Sequence, residues 1–337
     1  MFSKKSIAAL SGLFIFGSAE IAIAADVTWQ VSLWGKRRAF TEHVEKLAES
    51  VAEKTDGKFK LELFYGAALS KSRENLDSIS IGAFEMAQFC ASYHADKNPT
   101  ITVLELPMLP INDLETQRKV DLAVYAHPAV KKDLARWNAT LLMSSLMPQY
   151  NFIGTGDAPS KLEDFNGMRV RALGGVGKAM KQIGAVPTTV TASETYGALD
   201  SGTVQAVSFA PHAHMAFKTV EVGKWYTTNL NPGTVNCPVV ANTDALNALP
   251  PEYRKALEDS VAEAYDHYIA NYGQVFKKFE PVLDERGIQR ITFTDAELKR
   301  FHEAARKPVW DAWLKDMESK GLPGQELLDL VLNTAKG

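Results

Sequence analysis

VTWQVSL, residues 27–33, alternates apolar and polar side chains and is rich in β-branched and aromatic residues, the pattern of a strand. Just downstream, residues 40–54 (FTEHVEKLAESVAEK) place Phe40, Val44, Leu47, Ala48 and Val51 at helical spacing, and Asp56-Gly57 ends that helix. In residues 59–64 (FKLELF), Phe59, Leu61 and Leu63 alternate with Lys60, Glu62 and Phe64, giving a second strand. Residues 72–81 predict a short helix stopped by Gly82, and 84–89 (FEMAQF) a third strand. Strand, helix, strand, helix, strand in this order predicts a parallel sheet with helices on its faces.

Outward from this block the alternation continues. Residues 104–110 (LELPMLP) are extended, because each proline disfavours helix at the residue before it. Asp113 is placed to cap a helix running to about Val124, a second helix covers 129–137, and 140–147 is an apolar strand. A second α/β unit begins near Met147, with a strand over 168–172 and further helix and strand through Val207. Residues 236–242 add another strand. Pro250-Pro251-Glu252 then opens a helix of unusual length, to about Glu285, with Leu257, Val261, Ala264, Tyr265, Tyr268, Ile269 and Tyr272 in one stripe. Thr294 and Glu297 form a capping-box pattern for the next helix.

The first residues set the expected compartment. Lys4 and Lys5, an apolar stretch over 7–16 and Ala22-Ile23-Ala24 follow the order of a secretory signal peptide cut after Ala24. That stretch is shorter than the ~20 residues a bilayer span requires. Residues 1–24 are therefore set aside, and the rest is expected in the periplasm. A chain of 337 residues predicts about two domains. A net charge of −3 argues against nucleic acid as a partner. Cys90 and Cys237 leave two readings open: a disulfide, which an oxidising compartment permits, or two separate buried thiols.

Enzyme signatures are sparse. Gly174-Gly175-Val176-Gly177-Lys178 follows a strand, yet a phosphate loop needs Gly at 172 and Ser or Thr at 179, where the chain has Ala172 and Ala179. What remains is a tight turn or a weak anion site at a helix start. His212 and His214 lack a third ligand for zinc, and no G-x-S-x-G or H-E-x-x-H occurs. No catalytic residue, cofactor or metal is expected. Arg169 and Arg171 share one face of a strand, with Arg171 nearer its carboxyl end, where ligands bind in parallel α/β sheets. A guanidinium there matches a carboxylate. Trp34, Tyr65, Phe89, Tyr93 and Phe209 fall at or just past strand ends, where an apolar pocket wall belongs.

Residues 162–171 (LEDFNGMRVR), Gly184-Ala185-Val186-Pro187, residues 193–204 (SETYGALDSGTV), Leu106-Pro107-Met108-Leu109 and Lys224-Trp225-Tyr226-Thr227 occur in an order that resembles one family. It is the extracytoplasmic solute receptors of tripartite (TRAP) carboxylate transporters, the dicarboxylate-binding family. The resemblance covers nearly all of residues 26–320. It implies a two-lobed α/β periplasmic binding protein, type II-like, with a long helix spanning both lobes. The expected lobes are 25–148 with 236–276, and 149–235 with 277–306, while 307–337 packs back on lobe one.

The resemblance also implies a role for Arg171, which falls on the family's carboxylate-binding arginine. The chain departs from the pattern at Gln149-Tyr150-Asn151, where many relatives carry a second arginine, and at Phe209, where many have asparagine. The expected ligand is thus a small organic carboxylate with an aromatic or apolar body. Arg171 is the anchor, Trp34, Tyr65, Phe89, Tyr93 and Phe209 form the wall, and Gln149 and His212 are polar contacts. Arg38 offers a second charge and keeps a dicarboxylate open, as a sugar acid also remains. The implied partners are the membrane subunits of a TRAP transporter. Two other readings are a sensor-type receptor and a secreted enzyme pairing Cys90 with His94 or His212.

Overall fold

The structure is a computed structural model and describes residues 25–336; the expected signal peptide lies outside the described residues. The chain runs β1 (Val27–Leu33), α1 (Glu42–Lys54), β2 (Phe59–Phe64), α2 (Asn75–Ser80), β3 (Met86–Gln88), α3 (Leu114–Ala126), α4 (Pro128–Ala135) and β4 (Ala139–Ser145). It continues through β5 (Asn151–Gly154), β6 (Arg169–Arg171), α5 (Gly174–Gln182), β7 (Val186–Thr188), α6 (Thr195–Asp200), β8 (Ala206–Phe209), α7 (Pro211–Ala216), α8 (Thr219–Val222) and β9 (Trp225–Thr227). Then come β10 (Cys237–Asn242), α9 (Thr243–Ala248), α10 (Pro251–Glu285), β11 (Gln289–Ile291), α11 (Asp295–Ser319) and α12 (Gly324–Thr334).

The strands form two sheets, in the orders β2-β1-β3-β10-β4 and β11-β9-β5-β8-β6-β7. The first block behaves as its periodicity requires: β1 is parallel to β2 and β3. Trp29, Val31 and Leu33 are buried, and so is Ser32 beside them, as in a sheet covered on both faces. The all-parallel expectation is corrected at two strands. β10 is antiparallel to β3 and β4, and β5 is antiparallel to β8 and β9. Each is the strand by which the chain enters a sheet after leaving the other one, and so it comes in from the opposite end. Register in β10 slips at Val239/Val240, a bulge in this entering strand.

Two helices join the lobes. α10 begins at Pro251, whose ring suits the first helical position, and its 35 residues span about 52 Å. Leu257, Ala264, Tyr265, Tyr268 and Tyr272 pack into the core around β1 and α1. Phe279 and Leu283, further along the same stripe, pack into the core that contains Phe209 and Tyr226. α11 is capped by Thr294, whose Oγ1 accepts the Glu297 N–H. Its Phe301 and Ala305 join the core under the second sheet, whereas Val309, Trp313 and Met317 pack with α12 against Val120, Val124 and Leu104 of the first lobe. The remaining crossings, residues 146–150 and 228–236, are short.

Candidate ligand-binding site

β6 ends at Arg171, between β7 and β8 in the second sheet. Arg171 is 1% exposed. Its Nε donates to Val190 O (3.0 Å), Nη1 to Ser208 O (3.2 Å) and Nη2 to Tyr93 Oη (3.2 Å). All three acceptors are neutral, and Arg171 forms no ion pair among the described residues. A guanidinium has five N–H donors, so one remains on each terminal nitrogen. That is a fork of the shape a carboxylate accepts in bidentate fashion. The Phe209 ring lies under it, 4.4 Å from Cζ to centroid.

Tyr93 belongs to the first lobe, in the turn after β3. Its Oη accepts from Arg171 and from Ala192 N (3.1 Å), both in the second lobe. With its oxygen occupied by two donors, the phenol proton is left to point at a third group. One hydroxyl thus ties the lobes together at the place where Arg171 emerges.

Facing these residues in the same cavity is Arg38, from the loop after β1. Its backbone is fixed locally: Arg38 N donates to Thr41 Oγ1 (3.2 Å), and Thr41 Oγ1 donates to Arg38 O (2.9 Å). Gly35 leaves the room, since a Cβ there would overlap the Arg38 guanidinium. Three rings surround it, Phe40 at 4.5 Å, Phe217 at 5.0 Å and Trp34 at 5.2 Å. Nη1 donates to Lys36 O (2.9 Å). Burial lowers its pKa to about 10, so it stays protonated at neutral pH. The cavity lies between the two lobes and is lined by side chains of both.

One wall is covalent. Cys90 and Cys237 form a disulfide across β3 and β10, which settles the open question of the two cysteines. Gln88 pairs with Val239, so Cys90 stands directly opposite Cys237. The flanking bonds run one way only, Phe89 N to Pro238 O and Ala91 N to Asn236 O. Pro238 has no N–H to return, and Asn236 N donates to Glu105 instead. The bridge therefore closes the ladder where reciprocal hydrogen bonds are missing. Cys90 is thereby held as a sulfur of the bridge, away from the nucleophile role considered with His94 or His212.

Of the nine residues expected to bind ligand, Trp34, Arg38, Tyr93, Arg171, Phe209 and His212 line this cavity together. Phe89, Gln149 and Tyr65 do not. Phe89 is next to Cys90 and so faces the other side of the sheet, in the core with Ala87 and Ile101. Tyr65 sits beside Glu45. Gln149 donates to Ile111 O (3.0 Å) and lines a wider groove that also holds Asp113 and Asp121. That groove has no Lys or Arg in its wall, so an anion is disfavoured there. Sequence reasoning missed Phe40, Met147, Tyr150 and Phe217 in the cavity wall. Tyr150 adjoins Gln149, which had drawn attention for its polarity, and Phe40 stands two positions after Arg38.

The histidines at 212 and 214 are buried and hydrogen-bonded. His212 Nδ1 meets Tyr272 Oη at 2.9 Å and its ring stacks on Phe40. His214 contacts Thr219 Oγ1 and Asn151 O. Burial pushes His212 well below its ordinary value and His214 to about 3, so both are neutral. Among the described residues no group of three or more His, Cys, Asp or Glu is arranged to hold a metal. The glycine turn at the start of α5 faces Glu105 of the first lobe: a Cβ on Gly174 would overlap its carboxyl, and one on Gly175 its carbonyl oxygen. The weak anion site read there is thus met by the protein's own acid, whose pKa burial raises to about 7.

Residues 31–316 match the family described as bacterial extracellular solute-binding protein, family 7 (DctP). The C4-dicarboxylate-binding periplasmic protein DctP of Rhodobacter capsulatus is 28% identical over 277 residues, covering 78% of this chain and 77% of that one. The crystal structure of a marine metagenome TRAP solute binding protein specific for aromatic acid ligands, with metahydroxyphenylacetate, superposes with a TM-score of 0.83 at 19% identity. It covers 92% of this chain and 98% of that one. A TRAP solute binding protein from Rhodoferax ferrireducens T118, in complex with copurified benzoate, gives 0.83 at 17% identity, with 92% and 97% covered. Both share the two-lobed fold, and family and fold are those of solute-binding receptors. Among the described residues no helix is long and apolar enough to cross a membrane. With its two sheets joined by α10 and its buried arginine at the lobe boundary, this chain belongs to family 7 of the bacterial extracellular solute-binding proteins.

Proposed function

We propose that the protein captures a small organic carboxylate between its lobes, in the periplasm after removal of residues 1–24, and hands it to the membrane subunits of a TRAP transporter. The observation that carries this is the Arg171 fork, buried without an acidic partner in a cavity walled by rings from both lobes. An isolated buried cation is costly, and a ligand carboxylate supplies the missing charge with two strong hydrogen bonds. Because both lobes contribute to the cavity, binding favours the closed form. The division of the chain that goes with this reading is 25–148 with 236–276 as one lobe, 149–235 with 277–306 as the other, and 307–337 against the first; strand membership supports it.

An aromatic or apolar-bodied acid fits the wall of Trp34, Phe40, Tyr150, Phe209 and Phe217. The matched relatives support an acid: one is a C4-dicarboxylate-binding protein, and two crystal structures hold metahydroxyphenylacetate and benzoate. A thermal-shift screen over aromatic acids, hydroxy acids, dicarboxylates and sugar acids tests the reading. A true ligand at a hundredfold excess over its dissociation constant stabilises by about 2.7 kcal/mol. It is recovered chemically unchanged, which separates a binder from an enzyme. Pull-down of TRAP membrane subunits by the liganded protein, and not of a membrane kinase, separates transport from sensing. A screen in which no acid raises the melting temperature refutes the proposal.

A further inference from the structure

We infer that the cavity selects a flat dianion, an aromatic ring bearing two acidic groups, with one carboxylate on Arg171 and the second on Arg38. This deepens the reading above and rests on it.

The first ground is charge. Arg38 and Arg171 line one cavity, and none of its lining residues is Asp or Glu. Among the other lining residues, burial raises the Tyr150 phenol and keeps His212 neutral, so neither supplies negative charge. The buried acid Glu105 is committed elsewhere, accepting from Ser92 N, Ser92 Oγ and Asn236 N. The rings around Arg38 attract a cation but cannot cancel its charge. A monoanion leaves one guanidinium uncompensated, whereas a dianion balances both.

The second ground is the donor inventory. Arg38 Nε and Trp34 Nε1 are buried with no hydrogen-bond partner. Arg171 keeps two N–H groups and Tyr93 its phenol proton. These unpartnered groups are all donors, so the ligand ends that meet them are acceptors, as carboxylates are. The third ground is that Arg38 is built into position. In the run Lys36-Arg37-Arg38, Lys36 and Arg37 are exposed and Arg37 pairs with Glu45. Arg38 alone turns inward, locked by Thr41 and accommodated by Gly35. The body between the charges is aromatic because Trp34, Phe40, Phe209 and Phe217 line the same cavity and aromatic rings pack favourably against one another.

Calorimetry with benzoate and with benzene-1,2-, 1,3- and 1,4-dicarboxylate tests this on the full chain, the parent beside Arg38→Met and Arg38→Lys. At least one dicarboxylate is expected to bind the parent about tenfold or more tighter than benzoate. Arg38→Met should lose that preference and Arg38→Lys should keep part of it, with ligand-free melting curves checking that both variants fold. Benzoate binding as tightly as every dicarboxylate overturns the inference and leaves the Arg171 reading standing. A preference that survives in Arg38→Met overturns the assignment of Arg38. If none of the four acids binds, the inference fails. The wider acid screen then decides whether the carboxylate reading fails with it.

Discussion

Replacing Arg171 with Met removes the charge and the fork while keeping most of the apolar stem over Phe209. The side chain is 1% exposed already without ligand, so an ion pair formed there is shielded from solvent screening. Truncating one partner of a buried, hydrogen-bonded charge pair costs about 2–5 kcal/mol, which is about 30-fold to several-thousand-fold in affinity. The ligand-free protein is affected differently. It loses the bonds to Val190 O, Ser208 O and Tyr93 Oη, but it is also relieved of a buried cation that has no counter-charge. These terms oppose each other and are of similar size, so ligand-free stability should move by less than about 2 kcal/mol. Calorimetry with the strongest acid from the screen measures the first effect, and urea unfolding without ligand the second. Affinity retained within about threefold refutes the role of Arg171. A stability loss above about 4 kcal/mol shows that its three neutral acceptors, not a ligand, explain its burial.

Three further outcomes follow from the same geometry. Reducing the Cys90–Cys237 bridge, which spans 147 residues of sequence, should cost about 5 kcal/mol in the chain-entropy model; urea midpoints with and without a dithiol reductant check it, and coincident midpoints would count against it. Gly175→Ala places a Cβ against the Glu105 carbonyl oxygen where the lobes meet. Overpacking of about 1–3 kcal/mol should weaken ligand capture about five- to hundredfold and enlarge the radius of gyration in small-angle scattering. Burial pushes the Asp121 carboxyl from 3.8 up to about 7 although Ser144 Oγ donates to it. The folded state keeps a proton that the unfolded chain loses near 3.8, so this group's destabilisation grows as pH rises and is complete above about 7. Asp121→Asn should therefore gain stability relative to the parent across that window, on the order of 4 kcal/mol at the alkaline end; a difference independent of pH refutes it.

Much of the framework was legible along the chain because it depends on local rules. Asp113 accepts the Thr116 N–H at 2.7 Å as a helix cap should, and α10 runs from Pro251 to Glu285 because its stripe keeps one period throughout. The position of Arg171 at the carboxyl end of a strand was also a local fact, since strand direction follows from the order of elements.

What lay beyond the sequence was everything set by pairing between distant segments. Neighbouring strand residues face opposite sides, so a one-residue difference in register decides whether Phe89 or Cys90 lines the cavity. Only the pairing of β3 with β10 put Cys90 in the wall opposite Cys237. The antiparallel entry of β10 and β5 likewise came from the path between lobes, which leaves no periodic mark. Nor does sequence separate Arg37 from Arg38: one pairs with Glu45, and the other turns into a box of rings drawn from two lobes. Periodicity thus determined the elements, the long helix and the placement of Arg171 at a strand end, because these are short-range consequences of backbone geometry. The closed cavity, its covalent wall and its second uncompensated charge were decided by tertiary structure, because each joins residues more than a hundred positions apart.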